Sequence, residues 1–127
     1  MELVAKTDKY ELNRDEVKNR AFLTFFGFWE NSNAVPNFYD DCMKLLNSMK
    51  PGFTLIANLK NLKTPPRDVV ELFTRVQKAI VERGVSKSAE VVDSALVKVN
   101  VDESSDASSI KKKQFENIAD ALAWLDE

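Results

Sequence analysis

Phe53-Thr54-Leu55-Ile56-Ala57, held between Pro51-Gly52 and Asn58, is the stretch on which the fold turns. A short apolar, partly β-branched run with turn residues on both sides predicts a strand buried on both faces. Asn58-Leu59-Lys60-Asn61-Leu62-Lys63 then reads as a loop leading to Thr64, with Pro65 and Pro66 opening a helix. Proline is tolerated there because first-turn N–H groups have no helical partner. Val69, Phe73, Val76 and Ile80 recur at helical spacing, and Gly84 supplies a left-handed stop. A buried strand feeding a crossover helix is the repeating unit of an α/β sheet.

Upstream, Asn33 to Met49 predicts a first helix, with Ser32 or Asn33 as its cap and Pro36 in its first turn. Its inward stripe is Phe38, Cys42, Leu45 and Met49, which makes Cys42 a small buried hydrophobe rather than a reactive thiol. Residues 1 to 29 read as a β region. Tyr10-Glu11-Leu12 is a short strand, and Asn13 to Asn19 is a polar turn whose two asparagines suit left-handed backbone. Arg20 to Trp29 is apolar on both alternating faces: Leu23, Phe25 and Trp29 on one, Phe22, Phe26 and Phe28 on the other. A strand covered on both sides accounts for this. The competing reading is that the phenylalanine face lines a ligand cavity or a dimer interface.

Downstream, Ala89 to Val92 reads as a second buried strand. Ser94 to Ser109 stays open: Ala95, Val97, Val99 and Val101 alternate as in a strand, while Leu96, Val99 and Glu103 fit a helix. Lys111-Lys112-Lys113 leads into Gln114-Phe115, a short edge strand on which lysines discourage edge pairing. Asn117 caps a last helix with Asp120 at the third position, and Ile118, Leu122 and Leu125 form its apolar face. The expected architecture is one α/β domain over residues 1–127. It has a single mixed sheet of four to five strands, an N-terminal β-hairpin and three to four helices.

Composition narrows the chemistry. The chain has 127 residues, a formal net charge of −2 and one cysteine, so it forms no internal disulfide. The acidic balance gives no reason to expect nucleic acid as a partner. No apolar run reaches the roughly 18 residues of a membrane span. Glu2 and Asp8 near the start do not fit a signal peptide, so a cytoplasmic location is expected. The chain lacks histidine altogether. That removes the commonest general base and the commonest transition-metal ligand, and no metal or cofactor is expected. Asp40-Asp41 offers adjacent carboxylates, but neighbours on a helix diverge and do not converge on one atom. Arg67, Asp68, Glu71 and Arg75 read as solvated ion pairs along one helix.

Leu55 to Leu62, followed by Val69 to Gly84 and Ala89-Glu90-Val91-Val92, resembles the central strand–helix–strand of STAS domains, the fold of the anti-sigma-factor antagonist SpoIIAA. Phe115-Glu116-Asn117 with Ala121-Leu122-Ala123-Trp124-Leu125 is similar to the close of SpoIIAA-like proteins, related in fold to CRAL-TRIO lipid-binding domains. The resemblance implies a regulatory or binding module, not an enzyme, that engages a protein partner or a small apolar ligand. A lipid-type carrier is the alternative. It also implies a site at the loop Asn58, Lys60, Lys63 and Thr64, where antagonist domains carry a phosphorylated serine in an Asp-Ser-Ser-Gly phrase. Here the matching residues are Lys63-Thr64-Pro65-Pro66, so Thr64 is the only candidate phosphoacceptor. As the expected helix cap it has a structural role instead. Phe22, Phe26 and Phe28 are the candidate ligand or homodimer face.

Overall fold

The computed structural model describes residues 1–93 and 111–127. Among the described residues nine elements occur: β1 (Glu2–Lys6), β2 (Tyr10–Asp15), β3 (Arg20–Gly27), α1 (Phe38–Asn47), β4 (Thr54–Leu62), α2 (Arg67–Glu82), β5 (Lys87–Val91), β6 (Lys111–Phe115) and α3 (Ile118–Leu125). A short 3-10 turn, Ser32–Ala34, precedes α1. The strands form one mixed sheet in the order β1-β2-β3-β4-β5-β6. The first three make an antiparallel meander, and β3 to β6 pair in parallel. The mixed α/β architecture is as expected, with six strands instead of four or five. The added strand is β1, which turns the expected hairpin into a meander.

The sheet has two unequal faces. Ala21, Leu23 and Phe25 alternate toward one of them and meet Leu55 and Ala57 of β4. Phe38, Cys42, Leu45 and Leu46 of α1 and Val69, Leu72, Val76, Ala79 and Ile80 of α2 close over this side. The opposite face holds a smaller cluster, in which Ile56, Ala89 and Val91 meet Ala121 and Leu125 of α3. Phe22, Phe115, Leu122 and Trp124 pack around it. We call these the major and minor faces.

Several boundaries differ from expectation, and proline explains two. A residue that precedes proline is pushed out of the α region. Thr64 and Pro65 both precede prolines, so α2 starts only at Arg67, with Pro66 extended at the cap position (φ −72°, ψ 171°) and no side-chain cap bond. Thr64 is therefore not the helix cap. Val35 precedes Pro36 and lies outside the helical region (φ −132°, ψ 63°), so the expected helix from Asn33 divides. Asn31, not Ser32 or Asn33, caps the first turn, with its Oδ1 accepting from Ala34 N at 3.1 Å, and α1 begins at Phe38. The supposed loop Asn58 to Leu62 is the second half of β4, carried past a register shift by its pairing with β3. Asn58 and Lys60 thus lie on a strand.

Other readings hold. Gly84 takes φ 88° at the end of α2, and Asn19, one of the two turn asparagines, takes φ 53°. Asn117 Oδ1 accepts from Asp120 N at 2.8 Å, and Cys42 is buried. The alternative readings for Ser94 to Ser109 lie outside the described residues.

Candidate functional site

The four loop candidates do not converge. Asn58 Oδ1 accepts from Lys60 N at 3.1 Å, a local bond at the register shift between β3 and β4. Lys60 reaches the other way, its Nζ donating to the Glu116 carbonyl at 2.9 Å where β6 passes into α3. Lys63 N donates to Gly27 O at 2.9 Å, while Lys63 and Thr64 both face solvent. The next carboxylate, Asp68, accepts from Ser32 N at 2.7 Å. That backbone bond is the leading reason its carboxyl lies below the ordinary range. Asp68 therefore joins the 3-10 turn to α2, and the expected ion pairs among Arg67, Asp68, Glu71 and Arg75 do not form among the described residues. Arg75 instead lies 4.4 Å from the centre of the Tyr39 ring.

The phenylalanine face is also divided. Phe22 packs into the minor-face cluster beneath α3, and Phe26 is half-buried opposite Asn61. Phe28 is 45% exposed, beyond the turn that Gly27 makes at φ 68°. The other set, Leu23, Phe25 and Trp29, is buried as expected. Phe25 and Trp29 join Tyr10, Phe38 and Phe73 in a five-ring cluster, with Trp29 and Phe38 centroids 5.0 Å apart and edge-on. Such edge-to-face pairs add stability beyond their buried area. The Tyr10 hydroxyl donates to Asp41 Oδ2 at 2.6 Å and ties β2 to α1. Burial, and then the Asp41 carboxylate, raise the Tyr10 pKa; the same two causes raise that of Cys42. A thiol held protonated is a poor nucleophile.

A recess of about 90 Å³ lies between this ring cluster, β4 and α2. Phe25, Leu55, Ala57, Phe73 and Val76 supply apolar walls, and Gln77, Ser88 and Glu90 the polar ones. Glu90 accepts from Gln114 Nε2 at 3.2 Å and pairs with Lys112 at 3.4 Å. This polar wall was not legible from Ala89 to Val92, which reads as a second buried strand. The signal was present in the two-residue period: Ser88 and Glu90 alternate with Ala89 and Val91 and so face the major side. Among the described residues no cluster of His, Cys, Asp or Glu could hold a metal ion, and no helix is long and apolar enough to cross a membrane.

No family model matches this chain, and no curated protein matches it. Among solved structures it is similar to an uncharacterized protein of the DUF3478 family with a SpoIIAA-like fold, from Shewanella loihica PV-4. The two share 14% identity and superpose with a TM-score of 0.64 over 95% of this chain and 97% of the other. The chain has a SpoIIAA-like fold, as the STAS resemblance implied. A likeness at this identity carries the fold and no chemistry.

Proposed function

We propose that this chain is a non-enzymatic binding module that takes a small apolar ligand in the recess between β4 and α2. One observation carries the reading: the recess is apolar on most sides, with a few polar groups gathered on one wall. That is the ordinary make-up of a small-molecule site. At about 90 Å³ the volume fits a single ring or the end of a longer chain, well below the roughly 300 Å³ of a drug-sized site. Two groups that would otherwise suggest catalysis have structural roles: Asp41 holds Tyr10, and Cys42 is buried with a raised pKa. Thr64 is exposed.

Native mass spectrometry of the protein as purified from cells tests the reading. An apolar mass should stay with the folded chain and leave it in organic solvent. Leu59, a half-buried residue lining the recess, gives the companion variant. Leu59→Phe should fill the space and lose the bound mass while melting cooperatively. A chain that carries nothing and also fails to bind 1-anilinonaphthalene-8-sulfonate would contradict the proposal.

A further inference from the structure

α3 is attached to the minor face differently from the way α1 and α2 are attached to the major one. It has eight residues, of which only Ala121 and Leu125 are fully buried. A helix this short does not hold its conformation without docking. Much of that docking is made by cations from the sheet side. Lys87 Nζ donates to the Trp124 carbonyl at 3.0 Å and the Glu127 carbonyl at 3.1 Å, and lies 5.3 Å from the centre of the Trp124 ring. A cation at this end also meets the negative pole of the helix dipole. Arg20 Nη2 donates to Asp126 Oδ1 at 2.8 Å, and Lys18 Nζ reaches the same oxygen at 3.2 Å. At the other end Lys60 holds the Glu116 carbonyl. Four cations thus grip one carboxylate and a set of main-chain carbonyls.

The carboxylate of this attachment is open to solvent in a way the major face is not. The Lys18 and Asp126 side chains are 49% and 47% exposed, while Arg20, the other partner of Asp126, is 5% exposed. Screening shortens the range of such interactions from about 10 Å at 0.1 M salt to about 3 Å at 1 M. By contrast, α2 rests on five buried apolar side chains, which salt screening does not touch.

We propose that α3 is a salt-sensitive strap, lifting from the minor face as a unit while the sheet and its major-face helices stay folded. Lifting it uncovers Phe22, Ile56, Ala89 and Val91, an apolar strip flanked by the cations of Arg20 and Lys87. The hinge is the pair Glu116-Asn117, between β6 and the first residue of α3.

Hydrogen exchange on the full chain, read by mass spectrometry on peptides covering 67–82 and 116–127, decides this. Protection in the α3 peptide should fall about tenfold between about 0.05 and 1 M NaCl, with the α2 peptide unchanged. Lys87→Met keeps the aliphatic stem and removes the ammonium, and should speed α3 exchange about tenfold at low salt with α2 again unaffected. Asp126→Asn, at an exposed position, should act in the same direction if Lys87→Met folds poorly. Equal protection of the two peptides, or equal responses to salt and to either variant, would show that α3 opens only when the whole domain unfolds, and would overturn the strap.

Discussion

The two faces of the sheet are built from the same strands yet held by different physics. On the major face, twenty buried residues from β2 to β4, both large helices and the connecting loops form one continuous cluster, centred on five interlocking rings. On the minor face, the described residues supply five buried side chains and one short helix, and cations add to the attachment. Among the described residues, the minor side of β1 and β2 is mostly polar, with Leu3 exposed there. Glu11 pairs with Lys6 at 3.9 Å and accepts from Asn13 Nδ2 at 2.8 Å. Antiparallel strands tolerate one solvated face, whereas parallel ones are covered on both. The lesson is that α3 sits where it does because β4, β5 and β6 are the parallel strands.

Damaging each face in turn separates the two. Val76 is buried in the major cluster, and Val76→Asp should leave no cooperative unfolding transition, since it buries an unpaired charge. Phe38→Ala opens a cavity in the ring cluster and should cost about 3–5 kcal/mol by urea titration. Leu125→Ala removes a side chain just as buried, yet should cost only about 1–2 kcal/mol. Its cost is capped at the free energy that docks α3. Equal losses for Phe38→Ala and Leu125→Ala would mean the faces are energetically one.

The major face was the more legible in the sequence. The order β3-α1-β4-α2-β5 could be read because Phe53 to Ala57 is a short apolar run and α2 carries a helical period, and the burial of Leu23 and Phe25 agrees with a strand covered on both faces. What escaped lies where tertiary pairing overrides local chemistry. β1 has charged ends in Glu2 and Lys6, and Leu3 is 54% exposed, so nothing in its five residues demands burial. Asn58 to Leu62 is polar enough to pass for a loop, and only pairing with β3 extends it. Asn58, Lys60, Lys63 and Thr64 share a position in the resemblance but no side-chain geometry. The recess was illegible because Phe38, Phe73 and Ser88 meet only through the fold.

Acid should weaken both faces in a graded way. Asp126 has its pKa lowered first by the Arg20 hydrogen bond and then by Lys18, on the minor face; that of Asp68 is lowered by Ser32 N beside α2. A carboxyl lowered in the folded state contributes its stabilisation above its unfolded value and loses it as pH falls through its folded value. Both contributions are therefore complete at neutral pH and fade below the ordinary value of 3.8. Melting temperature measured from neutral pH down to about 2 should fall in that window. Asp126→Asn should flatten part of the fall, and an unchanged profile would show that the Asp126 contacts with Arg20 and Lys18 do not stabilise the fold. The smallest effect belongs to Thr64→Ala, which should stay within about 0.5 kcal/mol of the parent, since the exposed hydroxyl caps nothing. A loss near 1 kcal/mol would restore it as a cap.

The chain has two tryptophans, and the fold divides them between the faces: Trp29 in the ring cluster, Trp124 on α3. Labelling both with 5-fluorotryptophan puts one fluorine reporter on each face of the same molecule, and Trp124→Phe assigns the two signals. Followed by NMR through a urea titration at moderate salt, the Trp124 resonance should leave its native position at lower urea than the Trp29 resonance. Two resonances that disappear together, with one midpoint and one slope, would contradict a sheet whose faces are held independently.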